Sequence, residues 1–372
     1  MANKSLLLTF VILFGVLLSG CAKKSEQTAA KGNGMKYAQL LGITPEEGYT
    51  RVDVRTEANG EPVATYLLVP KDKEVPSNLP KGEVIRVPVS SLVVNSSIYA
   101  QPLKELGSIG VIKGVIDAPY FSMPEIKAGL QNGSITDIGN MQQPSVEKIV
   151  TLHPDGIMIN LFEGMTTSEM PTAGVPYLKF ADNLEYTPLG RAEWIKFLGL
   201  LTGKEKEAQK IFNQVEAEYN ALLQQSKEAT NKPKVLVENM YEGVWYVPGG
   251  NSVSAQMLND AGATYPWAQD KRNGSLPLTY EEVLAKAGDA DIWLLKVFGQ
   301  QLTKASLAEM DKRYTQFQPY KTGKIWYSDT STSGLFDYSA FHPETVLSDY
   351  LIIIHPELAK GKTPRYFKQI AP

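Results

Sequence analysis

Aromatic side chains recur where short apolar runs of this chain end: Tyr120 and Phe121, Phe162, Tyr241, Trp245 and Tyr246, Phe298, and Phe336. Rings gathered this way, with scattered polar groups among them, suit the holding of a large, partly apolar guest. For any single ring, core packing is the competing role. Arg86 and Lys296 are the cations within neighbouring runs that could meet an anionic guest, a solvent-facing strand position being the alternative. His153, His342 and His355 each precede a proline, which restricts the backbone before it. Turn or helix-end packing is favoured over ligation for them, and a bare-metal site built from several His and carboxylates is disfavoured. No phosphate loop of the G-x-x-x-x-G-K-[ST] type occurs, and Gly249-Gly250-Asn251-Ser252 reads as a turn. No nucleophile–base pair stands out.

The rings belong to a repeating arrangement of strands and helices. Candidate strands are Val84–Val89, Ile109–Ile116, Gly156–Asn160, Val235–Asn239, Ile292–Val297 and Lys324–Ser328, alternating with helical patterns. That alternation predicts an α/β fold with mainly parallel sheets, whose ligands sit beyond the carboxyl ends of the strands. Between the two groups of strands, Arg191 to Leu201 reads as one helix. A second, from about Lys204 to the Asn231-Lys232-Pro233 stop, places Ala208, Ile211, Phe212, Val215, Tyr219 and Leu222 on one face. Ser145-Val146-Glu147 before one strand and Thr279-Tyr280-Glu281 before another repeat a helix cap with an acidic second residue. The equal offset of both pairs predicts two similar lobes. Ahead of them, Tyr49–Thr56 and Val63–Val69 flank Asn59-Gly60, a hairpin signal for a small β appendage.

Ser145-Val146-Glu147-Lys148-Ile149-Val150-Thr151-Leu152-His153-Pro154-Asp155 resembles the short helix, Leu-x-Pro-Asp and strand of a known family. His342-Pro343-Glu344-Thr345-Val346-Leu347-Ser348-Asp349, with Ile354-His355-Pro356-Glu357-Leu358, is also similar to it. The family is the substrate-binding proteins of ABC importers for iron–siderophore complexes, haem and cobalamin, and the likeness spans Val84 to Leu358. The resemblance implies two Rossmann-like α/β lobes joined by a long helix, with the guest clamped between them and only a small closing motion. It implies a permease as partner, with its ATPase reached through the permease, and gives Glu147 and Glu281 the role of docking onto that permease, one on each lobe. The local alternative is that both acids serve their helix dipoles. It also implies a monomer without a resident cofactor, carrying a ferric siderophore as cargo, or alternatively haem or cobalamin; an axial His or Tyr for haem stays open. The segment from Pro119 to Gly139 is longer than the family's usual loop. A hydrolytic surface lipoprotein is the reading from another class.

The start of the chain reads as an address. Lys4 precedes an apolar run from Leu6 to Leu18 that is too short to span a membrane but suits a signal peptide. Leu18-Ser19-Gly20-Cys21 resembles a lipobox, which makes Cys21 the lipidated residue anchoring the protein to a membrane at the cell envelope; a plain secretory peptide is the alternative. The expected domains are a leader over 1–20, lipidated Cys and tether over 21–45 and a β appendage with connector over 46–80. An N-terminal lobe over 81–188, bridging helices over 189–231 and a C-terminal lobe over 232–372 follow. Among 372 residues, Lys and Arg number 37 and Asp and Glu 40, so no basic face for nucleic acid is expected. The single Cys excludes a disulfide framework.

Overall fold

The computed structural model describes residues 34–162, 165 and 174–371, so Cys21 and the leader lie outside the described residues. Strands β1 (Leu41–Glu46), β2 (Tyr49–Val54), β3 (Ala64–Pro70) and β4 (Glu83–Val87) form a first sheet in chain order. The first three are antiparallel, and β4 joins β3 in parallel. Gly48 sits at φ 85° in the tight β1–β2 turn, a backbone state that glycine adopts without a Cβ clash. The antiparallel β2–β3 pair agrees with the Asn-Gly signal. Two expectations fail. The tether does not reach residue 45, because Met35, Ala38, Leu40 and Leu41 are buried and Leu41 begins β1. The run at Val84–Val89 pairs with β3, not with the lobe that follows. A short apolar run states that it is buried, not which sheet buries it.

The N-terminal lobe holds β5 (Leu92–Val94), α1 (Ala100–Glu105), β6 (Ile112–Val115), α2 (Pro124–Asn132) and β7 (Thr136–Asp137). A small hairpin, β8 (Gly139–Asn140) and β9 (Gln143–Pro144), precedes α3 (Val146–Leu152), β10 (Gly156–Asn160) and β11 (Tyr177–Phe180). The order β11-β10-β5-β6-β7 is parallel throughout. The first sheet covers the open edge of this one with Tyr66. The Tyr66 hydroxyl donates to the Tyr177 carbonyl and accepts from the Lys179 N–H, both at 2.7 Å, satisfying two groups that edge strand β11 would otherwise leave unpaired.

Helices α4 (Pro188–Ala192), α5 (Ile195–Thr202) and α6 (Glu205–Ser226) connect the lobes. The expected helix from Arg191 to Leu201 is two pieces. α5 closes on Gly203, at φ 68°. α6 is the bridge: its 22 residues span about 33 Å at about 1.5 Å each. Phe212 on α6 meets Tyr37 on the N-terminal side, while Tyr219 donates to Asp260 of the C-terminal lobe at 2.6 Å. α5 and α6 approach so closely that a Cβ on Gly199 would lie 2.6 Å from that of Ala208.

The C-terminal lobe runs β12 (Val235–Val237), β13 (Met240–Tyr241), β14 (Val244–Pro248), α7 (Val253–Asp260), β15 (Ser275–Leu278), α8 (Tyr280–Ala287) and β16 (Ile292–Val297). It ends with α9 (Lys304–Met310), α10 (Gln318–Thr322), β17 (Ile325–Asp329), α11 (Leu335–Ser339), α12 (Pro343–Ile354) and β18 (Lys368–Gln369). Strands β12, β16 and β17 are parallel and β18 antiparallel, while β13-β14-β15 make a separate antiparallel sheet. The Ser145 and Thr279 caps form as expected, the latter as a full capping box with Glu282.

The chain touches the first lobe again after β17. Ser122 donates to Asp337 of α11 at 2.6 Å, and Phe341 packs on Tyr99. His342, just ahead of α12, places Nε2 on Glu105 of α1 at 2.7 Å and Nδ1 on Glu344 at 2.8 Å. Burial would depress its pKa, but the two carboxylates outweigh that and lift it to about 10, so His342 is an imidazolium joining the lobes.

Candidate functional site

A cavity of about 720 Å³ lies where the carboxyl ends of β12 and β16 face the entrance to the bridging helices. The C-terminal lobe supplies Glu238, Asn239, Met240, Tyr241, Tyr246, Lys296 and Phe298 to its walls, and the chain before α5 supplies Asn183 and Arg191.

The C-terminal wall is set by the core beneath it. Trp245 and Trp293 stack with ring centroids 5.7 Å apart. Their indole N–H groups donate to the Val237 and Glu238 carbonyls at 3.0 and 2.7 Å. Glu238 is thereby held at φ 61°, and Glu242 follows at φ 49°. Left-handed backbone at a non-glycine residue costs of order 1–3 kcal/mol and persists where surrounding bonds enforce it, commonly at ligand sites. The Glu238 carboxylate pairs with the Lys296 ammonium. Burial lowers the Lys296 pKa, yet the Glu238 charge and the nearby Tyr350 hydroxyl raise it above its usual value.

The opposite wall rests on Asp182, which is fully buried. It accepts from Tyr99 Oη and Asn160 Nδ2, both at 2.9 Å, and from Arg191 Nε at 3.0 Å. The next residue, Asn183, lines the cavity and keeps a buried Oδ1 without a protein partner. Among the described residues the charged groups on the walls are Arg191, paired with Asp182 beneath it, and Lys296, paired with Glu238. The arrangement offers aromatic faces, amide groups and two ion-paired cations to a bulky polar guest. Among the described residues it offers no nucleophile–base pair.

The expected residues divide. Tyr241, Tyr246 and Phe298 line the cavity and are exposed. Tyr120, Phe162 and Phe336 are exposed at strand or helix ends but do not line it; the Ser122–Asp337 bond brings the loops of Tyr120 and Phe336 side by side. Phe121 and Trp245 are corrections. Phe121 is 2% exposed and Trp245 0%, both in the core. Trp245 alternates with Tyr246 along β14, so only one of the two can face the cleft. Arg86 is also misplaced, its guanidinium donating to the Pro70, Lys71 and Lys73 carbonyls in the first sheet. Lys296 does line the cavity. Asn183, Arg191, Glu238 and Asn239 were not foreseen; the first lies in a three-residue 3-10 turn and the second in a five-residue helix, neither with a periodic signal. His153 is an exposed helix C-cap, and His355 is fully buried. Among the described residues, no three His, Cys, Asp or Glu come together as a metal site. Glu147 and Glu281 are exposed in the first turns of α3 and α8.

Two α/β lobes, one long connecting helix and a polar-aromatic cavity between them define a two-lobed binding protein. The chain belongs to the periplasmic binding protein family, which it matches over residues 93–326. Two uncharacterized lipoproteins of Methanocaldococcus jannaschii are 28% and 25% identical to it, covering 96% of this chain and 94% and 97% of their own. Among solved structures, a periplasmic heme-binding protein from Pseudomonas aeruginosa is similar with TM-score 0.59 and 17% identity, over 76% of this chain and 99% of that one. A protein of an ABC-type Fe3+-hydroxamate transport system from Saccharomonospora viridis gives 0.56 and 18%, over 72% and 94%. These solved relatives share the fold. The family consists of solute-binding transport proteins, not enzymes, which removes the hydrolase reading. Among the described residues no helix is long and apolar enough to cross a membrane.

Proposed function

We propose that the protein is the lipid-anchored solute-binding component of an ABC importer, capturing an iron–siderophore-type chelate as cargo and handing it to a membrane permease. The observation that carries this reading is the inter-lobe cavity, with Tyr241, Tyr246 and Phe298 beside Arg191 and Lys296. Its volume falls within the roughly 300–1,000 Å³ of ligand sites, and rings beside an arginine and a lysine suit an aromatic or anionic chelate. Cys21 as the lipid anchor agrees with the naming of the relatives as lipoproteins. Glu147 and Glu281, exposed on the two lobes, serve as the docking charges for the permease.

Tryptophan fluorescence reports binding, because Trp245 and Trp293 lie under the cavity loops. Saturable quenching by a ferric siderophore, with none by haem or cobalamin, is the expected result. Quenching by haem or cobalamin alone reassigns the cargo, and quenching by none refutes the reading. The Glu147→Arg/Glu281→Arg double variant should keep the titration and lose uptake in cells; undiminished uptake rejects the docking role.

A further inference from the structure

The segment Met35–Leu40 lies outside the family match, yet its backbone is fastened to the wall of the cavity. The N–H groups of Lys36, Tyr37 and Ala38 donate to the Glu193 carboxylate at 3.0, 2.7 and 2.9 Å. Those of Gln39 and Leu40 donate to Glu185 at 3.0 and 2.9 Å. Glu193 is 0% and Glu185 1% exposed, so five consecutive amides hold two carboxylates that water does not reach. Lys196 Nζ and Trp194 Nε1 complete their shells.

Between these carboxylates runs α4, which carries Arg191. A helix of five residues has little stability of its own, so its position comes from what it is fastened to. The segment lies directly on it: a Cβ added to Gly190 would stand 3.1 Å from the Tyr37 carbonyl oxygen. The neighbouring Arg191 donates through Nε to buried Asp182 and lines the cavity. One short element therefore joins the N-terminal segment to a cation of the guest site.

We propose that Met35–Leu40 is a strap whose grip on Glu185 and Glu193 positions Arg191, and that Arg191 thus placed selects an anionic chelate; the second half rests on the binding function proposed above. Arg191 is the ligand-contacting group, and Glu193 is a positioning residue acting through it.

The test uses the full soluble chain with two probes, a triply anionic ferric tris-catecholate and a neutral ferric trihydroxamate. Glu193→Gln should weaken the tris-catecholate about tenfold, the scale of a coupled positioning contact, and change the trihydroxamate by less than about twofold. In an Arg191→Met background, Glu193→Gln should add nothing to the loss. Equal losses for both chelates, or additive losses in the double variant, overturn the selection. Independently of any guest, 15N NMR reads exchange of the Arg191 Nε–H in the free protein. It should quicken about tenfold in Glu193→Gln and also in Glu185→Gln, each of which loosens one of the two grips of the strap; unchanged exchange in folded variants overturns the strap. If the unaltered protein binds neither chelate, the binding function and the selection fall together, while the exchange result alone decides the strap.

Discussion

The imidazolium of His342 makes the stability of this protein depend on pH in the alkaline range. Its folded-state pKa of about 10 stands above the ordinary 6.5. A raised pKa means that the folded protein holds the proton more tightly than the unfolded chain. The contribution is therefore complete below about pH 6.5 and is lost as pH rises through 10. The difference of about three and a half units, at about 1.4 kcal/mol each, bounds it near 4–5 kcal/mol. That agrees with the roughly 3–5 kcal/mol lost on breaking a buried ion pair. His342→Gln removes the cation and leaves Glu344, 5% exposed, facing Glu105 without it. Urea unfolding of both proteins from pH 6 to 10.5 separates this residue from the lysines and tyrosines that titrate nearby, because those are common to both. The stability gap should be about 3–5 kcal/mol at pH 6 and shrink by about 1.4 kcal/mol per unit between pH 7 and 10. A gap that stays constant over that range refutes the reasoning.

Four further variants test the packing. Trp245→Ala should cost about 3–5 kcal/mol in urea unfolding, whereas Tyr246→Ala should leave stability within about 0.5 kcal/mol and weaken guest binding; the reverse pattern would reject the assignment of Trp245 to the core. Gly199→Ala should lower stability by about 1–3 kcal/mol, because the new methyl meets Ala208 and the Lys204 carbonyl where α5 and α6 cross. Tyr66→Phe removes the hydroxyl that serves the edge of β11, and a loss of about 1–3 kcal/mol is expected, with faster hydrogen exchange at the Lys179 amide.

What could be read from the sequence was whatever depends on period and local chemistry. The strands at Gly156–Asn160 and Ile292–Val297 have the expected bounds, since continuous apolar runs of that length between helices leave little choice. The α6 face was legible from its spacing, and Ser145 and Thr279 from cap chemistry. What depends on partners distant in sequence was not. Nothing near Met35–Leu40 announces that Glu185 and Glu193 will hold its amides, so it reads as tether. Trp245 and Tyr246 are equivalent as aromatic neighbours, and only the pleat of β14 divides them. Glu238 in left-handed backbone has no local signature, because the tryptophans that impose it belong to β14 and β16.

The same long-range contacts bear on how the cleft works. A long helix alone would let the lobes rock about its ends. Here the lobes also meet through Ser122 and Asp337 and through the His342 imidazolium with Glu105, partners 215 and 237 residues apart along the chain. Rocking wide would separate a charged pair that is largely out of water, at a cost of about 3–5 kcal/mol, roughly half the binding energy of a micromolar guest. The cavity walls are braced from beneath as well, by Trp245 and Trp293 on one side and Asp182 on the other. A site so held recognises its guest mostly by shape and charge already in place, spending little of the contact energy on rearrangement.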